Sequence, residues 1–176
     1  HKVMDEYINA KKNIFTHQKP NDRLVLNFEN DITRSFVNEA AGEVITFGHD
    51  ISSDNCVFVD NGVVSSYKNG VKSPLFAVRD IRIPGDHNVQ NYMAAAAATL
   101  GLVSCENMDK TAREFAGVEH RIEFVRETDG VKWYNDSIAT SPTRAIAGIN
   151  SFNQKLIIIA GGYDKHIPFK PFAERA

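Results

Sequence analysis

Cysteine is scarce: Cys56 and Cys105 are the only two in 176 residues, and neither has a second Cys or a paired His nearby. That excludes a disulfide framework and a zinc template, and both are expected to be ordinary thiols in a reducing cytoplasm. Long apolar runs are also missing. None approaches the ~20 residues that a membrane-spanning helix requires. Lys2 to Met4 form no signal-peptide core. Excess charge of one sign is absent too: the formal net charge is −2, so nothing draws the chain to nucleic acid or to an anionic membrane. Neither the GxxxxGK[ST] phosphate loop nor GxGxxG occurs. No repeat stands out, and the one low-complexity stretch, Ala94 to Ala98, is helical in character. Since the first residue is His1, the chain reads as a segment of a longer product.

The sequence has a hydrophobic content of 43% with 24% charged residues, the balance of a folded globular protein. Apolar spacing predicts a helix over Val3–Gln18, stopped by Pro20-Asn21-Asp22, then a buried strand at Leu24–Asn27. Asp31 or Thr33 can cap a second helix reaching Ala40, and Glu43–Gly48 is another strand. Cys56 to Tyr67, broken at Asp60-Asn61-Gly62, has the signature of a hairpin, because Asn-Gly accepts positive φ in a type I′ turn. Phe76–Ile83 adds a strand. Asp86 is placed to cap a helix from His87 to about Leu102, and Met108–Phe115 forms a shorter one ended by Gly117. The pattern then restarts: strand Ile122–Arg126, turn Asp129-Gly130, strand Lys132–Asn135, helix Pro142–Ser151 and apolar strand Leu156–Ala160. That alternation implies a parallel α/β unit, with a domain boundary near Gly117.

Several polar groups fall at the ends of these elements. Asn88 and Asn91 stand one helical turn apart behind His87. An asparagine amide can match an adenine edge, although helix entries are often polar for capping alone. Arg121 enters a strand and could grip phosphates in bidentate fashion, or make a surface ion pair. Asp136 follows a strand at the carboxyl end where α/β sheets gather ligands; it could accept from ribose hydroxyls or cap the next element. Gly161-Gly162-Tyr163-Asp164-Lys165 lets a backbone approach closely and ends in a free cation. Lys11 and Lys12 are adjacent on the first helix, where lysines are ordinarily solvated.

Taken in order, Glu119-His120-Arg121-Ile122-Glu123-Phe124, Tyr134-Asn135-Asp136-Ser137-Ile138-Ala139-Thr140 and Ala160-Gly161-Gly162-Tyr163-Asp164-Lys165 resemble the amino-acid ligases of peptidoglycan synthesis, the Mur ligase family. The resemblance runs over nearly the whole chain, yet covers only the middle of such an enzyme. It implies the carboxy-terminal part of a central ATPase domain at 1–117, followed at 118–176 by the start of a Rossmann-like carboxy-terminal domain. The implied activity is ATP-dependent addition of D-glutamate to UDP-N-acetylmuramoyl-L-alanine with Mg²⁺, by a cytoplasmic monomer that binds neither nucleic acid nor membrane. His87, Asn88, Asn91, Arg121 and Asp136 would then bind the nucleotide. Ser137, Thr140 and Lys165 would hold substrate, with Lys165 the partner of D-glutamate and also a catalytic group. Lys11, matched through Tyr7 and Ala10, would be carbamylated, act in catalysis and provide an oxygen ligand to Mg²⁺. The sequence departs from the family at Ile138, where many members carry Lys, and at Ser141, where Asn is common. A folylpolyglutamate-synthase-like glutamate ligase and a non-catalytic nucleotide-binding module are the alternatives; the Asn135-Asp136-Ser137 and Gly-Gly-Tyr-Asp-Lys motifs favour the D-glutamate ligase over the former.

Overall fold

The computed structural model describes residues 3–163 and 167–176, in two compact units. The first is built from His1–Asp80 and Gln90–Arg113, the second from Ile81–Val89 and Glu114–Ala176.

In the first unit, α1 (Met4–Lys12) is shorter than its apolar spacing predicts. Beyond it the chain tightens into three-residue turns, with Ile14 N–H donating to Lys11 C=O and Phe15 N–H to Lys12 C=O. This turn drives Phe15 inward, to 3% exposure. β1 (Arg23–Asn27) follows. The cap of α2 (Asp31–Ser35) is Asn30, not Asp31 or Thr33: Asn30 Oδ1 accepts from Ile32 and Thr33 N–H at 3.0 and 3.2 Å. The helix passes into a 3₁₀ turn at Phe36–Asn38 well before Ala40. β2 (Glu43–Phe47), β3 (Asn55–Asp60), β4 (Val63–Lys68) and β5 (Val71–Ala77) complete a sheet in sequence order. β1, β2 and β3 are parallel, whereas β4 and β5 are antiparallel additions. Asn61 and Gly62 take φ of 49° and 78°, as the type I′ reading requires, and Asn69-Gly70 repeats the device at 51° and 81°. That second turn sets β5 at Val71–Ala77 in place of the expected Phe76–Ile83.

α3 (Asp86–Thr99) begins one residue earlier than expected, which puts Asp86 inside its first turn; α4 (Cys105–Glu114) follows. Phe15, Leu24, Leu26 and Phe36 form one buried cluster, with the rings of Phe15 and Phe36 5.4 Å apart. Each such side chain contributes roughly 1.5–3 kcal/mol when fully buried. Elsewhere in this unit Tyr92 of α3 meets Phe76 of β5 edge-on at 5.8 Å. The small alanines let α3 lie close, and Ala97 and Met93 are fully buried. Arg23 of β1 closes the far end of α3. Its Nη1 donates to the carbonyls of Ala97, Ala98 and Leu100 at 3.4, 3.1 and 2.8 Å, placing a cation where the helix dipole is negative.

The second unit contains a hairpin of β6 (Glu123–Thr128) and β7 (Val131–Asn135), turned at Asp129-Gly130 with φ of 52° and 78°. α5 (Pro142–Ile149) has Pro142 in its first turn, where a missing N–H costs nothing. α6 (Lys170–Arg175) is joined to the end of α5 by Arg175 Nε donating to Asn150 Oδ1 at 2.6 Å. The apolar run Leu156–Ala160 does not form the expected strand. A run apolar on both faces becomes a strand only with pairing neighbours, and none of the described strands pairs with it, so Ile157 and Ile159 remain 94% and 85% exposed. The described part of this unit therefore holds an antiparallel hairpin in place of the parallel α/β unit expected after Gly117.

Candidate functional site

The second unit brings together Asp136, Arg121 and His87. Asp136 immediately follows β7, and its Oδ1 accepts from Ile122 N–H at 3.2 Å. Its Oδ2 lies against α5, where a Cβ on Gly148 would come within 2.6 Å. The carboxylate is thus seated between a backbone donor and a helix that has no side chain at the contact point. Arg121 precedes β6, with its backbone N–H on Val118 C=O at 3.2 Å and its side chain exposed. His87, in the first turn of α3, is half-buried. Burial pushes its imidazole pKa below the usual 6.5; Arg121 adds to that effect, while Asp136 and Asp86 oppose it. The ring is therefore neutral near pH 7 and presents one donor and one acceptor. A guanidinium, a carboxylate and a neutral imidazole together suit a ligand with both phosphates and hydroxyls.

The remaining sequence-predicted residues are placed differently from one another. Asn88 is 3% exposed, and its Nδ2 donates to Pro84 C=O at 2.6 Å, so the amide serves the loop that leads into α3. Asn91, three residues later, is exposed. Ser137 and Thr140 lie exposed in the loop after Asp136, where Ser137 N–H donates to Asn135 Oδ1 and Thr140 N–H to Ile138 C=O. Ile138 is 41% exposed. Lys165 lies outside the described residues.

In the first unit, Lys11 and Lys12 part company. Lys11 is exposed, with its Nζ 5.3 Å from the centre of the Tyr7 ring. Lys12 is half-buried, pairs with Glu39 at 2.7 Å and lies 5.0 Å from the Phe36 ring. The sequence view that both are simply solvated fails for Lys12. Among the described residues no group of three or more His, Cys, Asp or Glu could hold a metal ion. The described donors therefore do not make a Mg²⁺ site by themselves.

One polar group went unnoticed in the sequence. At the carboxyl ends of β1 and β2, Asn27 Nδ2 donates to Gln90 Oε1 at 3.3 Å, and Gln90 Nε2 donates to Glu29 Oε2 at 3.3 Å. Glu29 Oε1 in turn accepts from His49 N–H and faces His49 Nδ1, each at 2.7 Å. The clue was that Asn27 ends an apolar parallel strand, where α/β sheets collect polar groups.

Residues 1–99 match the family model described as the Mur ligase middle domain. The chain belongs to the Mur ligase family. Among curated relatives, the UDP-N-acetylmuramoylalanine–D-glutamate ligase of Acetivibrio thermocellus is 52% identical over 169 residues, covering 96% of this chain and 36% of its own length. The enzyme of that name from Clostridium beijerinckii is 53% identical over 177 residues, covering 98% and 37%. This chain thus spans little more than a third of these Mur ligases. Among solved structures, the UDP-N-acetylmuramoylalanyl-D-glutamyl-2,6-diaminopimelate–D-alanyl-D-alanyl ligase from Acinetobacter baumannii superimposes with a TM-score of 0.59 at 26% identity, over 81% of this chain and 32% of that one. The parallel β1–β3 sheet with α3 is accordingly part of a Mur ligase middle domain. No helix of the described residues is long and apolar enough to cross a membrane.

Proposed function

We propose that a full-length protein carrying this chain is an ATP-dependent ligase that joins D-glutamate to the L-alanine carboxylate of UDP-N-acetylmuramoyl-L-alanine, in cytoplasmic synthesis of peptidoglycan precursors. The observation that carries the proposal is identity at about half of the aligned positions, over 96–98% of the chain, with proteins named for that reaction. The cluster of Asp136, Arg121 and His87 supports it from chemistry. On this reading, 1–117 belongs to the central domain and 118–176 opens a Rossmann-like carboxy-terminal domain.

In the proposed reaction the L-alanine carboxylate attacks the γ-phosphorus of ATP, ADP leaves, and an acyl phosphate forms. The D-glutamate amine then attacks the acyl carbon, loses a proton, and expels inorganic phosphate. Asp136 accepts from the ribose hydroxyls and Arg121 offsets phosphate charge, the step where phosphoryl-transfer catalysis mainly acts. His87, neutral at working pH, hydrogen-bonds the nucleotide without adding charge, and Asn91 offers its exposed amide to the base. Asn88 acts beside them by holding the entry to α3. Ser137, Thr140 and Lys165 hold the incoming D-glutamate. Mg²⁺, when bound, neutralises phosphate charge. As a carbamate, Lys11 would offer it an oxygen ligand.

The test is phosphate release by the full-length protein with each substrate omitted in turn. Release should require ATP, D-glutamate and UDP-N-acetylmuramoyl-L-alanine together. Release that follows a folate with L-glutamate would instead identify a folylpolyglutamate-type ligase.

A further inference from the structure

Arg121 and Asp136 lie on separate stretches of chain, yet the two stretches are stitched together by side chains that the reaction scheme does not use. Asn135 Nδ2 lies 2.8 Å from His120 Nδ1 and donates to Glu123 Oε2 at 3.4 Å. The amide cannot be turned round, because its other end, Oδ1, already accepts from Ser137 N–H at 3.1 Å. His120 Nδ1 is therefore the acceptor, and the proton of the neutral ring sits on Nε2. Glu123 Oε2 also accepts from His120 N–H at 2.8 Å. Two links donated by backbone N–H groups run alongside: Ile138 N–H to His120 C=O at 3.2 Å, and Ile122 N–H to the Asp136 side-chain Oδ1 at 3.2 Å.

The backbone on either side of Arg121 is unusual. His120 has φ of 65° and Ile122 of 46°. A β-branched residue in the left-handed region is a genuine outlier, and such strain persists only where surrounding contacts over-determine it. Here those contacts are the stitches just named, together with burial of the Ile122 side chain, which is 6% exposed.

We propose that His120, Asn135 and Glu123 form a latch that fixes Arg121 and Asp136 relative to each other, so that one nucleotide meets them as a pre-set pair. This rests on the nucleotide reading given above. The three are positioning residues. Each sits one or two places from a ligand-facing side chain, His120 just before Arg121, Glu123 two places after it and Asn135 just before Asp136. With the latch closed, the guanidinium and the carboxylate need not be ordered anew at each binding event. Opening it leaves both groups present but independent, which weakens binding and not the intrinsic chemistry.

The experiment is a double-mutant cycle in the full-length protein with His120→Gly and Asn135→Leu. Glycine takes positive φ without strain, so His120→Gly removes the ring acceptor and leaves no side-chain acceptor in its place. Each single substitution should raise the KM for ATP about five- to tenfold, the range of one net hydrogen bond, with kcat and the KM for D-glutamate nearly unchanged. The double substitution should be no worse than the worse single one. Because Asn135→Leu also removes the acceptor of Ser137 N–H, the coupling between the two sites is the deciding quantity. Effects that multiply, or a loss of thermal stability with an unchanged KM for ATP, overturn the latch. Amide hydrogen exchange at Ile122 and Ile138 reads the same device without any ligand. Faster exchange in both variants supports it, and unchanged exchange rejects it, even if the wild type were to show no saturable use of ATP and the nucleotide reading itself were to fall.

Discussion

The imidazole of His87 occupies the space that a side chain on Gly85 would need. A Cβ at Gly85 would lie 2.8 Å from His87 Cε1 and 2.9 Å from Nδ1, and would also collide with Ser151 Oγ. Gly85 has φ of 102°, where an L-residue is strained whatever the space. Gly85→Ala should therefore cost about 1–3 kcal/mol of stability and displace His87. Thermal unfolding checks the first effect, and the imidazole resonances of His87 the second. A variant as stable as wild type with an unmoved ring would refute the packing described.

His87 also makes a pH prediction. Its folded pKa lies below the ordinary 6.5, chiefly through burial. Above the unfolded value the ring is neutral in both states, and its burial contributes its full stability. As pH falls through 6.5 the unfolded chain takes up the proton first, so stability is lost until the depressed folded value has been passed. Unfolding free energies from pH 7 to pH 5 should fall with a slope that His87→Gln reduces. Equal slopes would mean that His87 is not the group responsible.

Asp136→Ala should raise the KM for ATP roughly ten- to a hundredfold, the equivalent of ~1.5–3 kcal/mol for a charge-assisted hydrogen bond. The KM for D-glutamate should change much less, and Lys165→Ala should show the opposite division. If both variants lose kcat with unchanged Michaelis constants, that division of labour is wrong. Gly148→Ala is a milder probe of the same carboxylate. Among the described residues its Cβ would closely approach the Asp136 carboxyl alone, so the fold should survive, even gaining from alanine's higher helix propensity. ATP use should change in step with the displaced carboxylate.

Lys11 and Lys12 should separate activity from stability. Lys12 bonds Glu39 and covers the Phe36 ring, so Lys12→Ala should lose about 1 kcal/mol of stability and retain activity. Lys11 is exposed beside Tyr7, so Lys11→Ala should keep its melting temperature and lose nearly all activity. Millimolar short-chain carboxylates should partly restore it by standing in for a carbamate. Failure of every carboxylate to do so would end the carbamate assignment.

Local chemistry made much of this readable in advance. Asn61-Gly62 and Asp129-Gly130 specify their turns by themselves, and the apolar runs at Leu24 and Val44 specify β1 and β2. Asn69-Gly70 carries the same signal and defines β5, yet the polar Lys68 and Lys72 around it mask the strands. Asn30 outcompeted Asp31 as the cap because its Oδ1 reaches two N–H groups at once. Leu156–Ala160 shows the limit of pattern reading: composition can say strand, but pairing partners decide. The cluster of Asp136, Arg121 and His87 was legible as three strand and helix ends. What held them was not, since an isoleucine at φ 46° contradicts every local preference, and close approaches to Gly85 and Gly148 exist only in three dimensions.

The central claim is that a full-length protein carrying this chain activates the L-alanine carboxylate of UDP-N-acetylmuramoyl-L-alanine and gives it to D-glutamate. The most direct measurement uses substrate with both oxygens of that carboxylate replaced by ¹⁸O, and follows the released phosphate and the product by mass spectrometry. Passage through an acyl phosphate transfers one ¹⁸O to inorganic phosphate for each D-glutamate joined and leaves the other in the new amide. Unlabelled phosphate, or phosphate released without D-glutamate entering the product, would contradict the account.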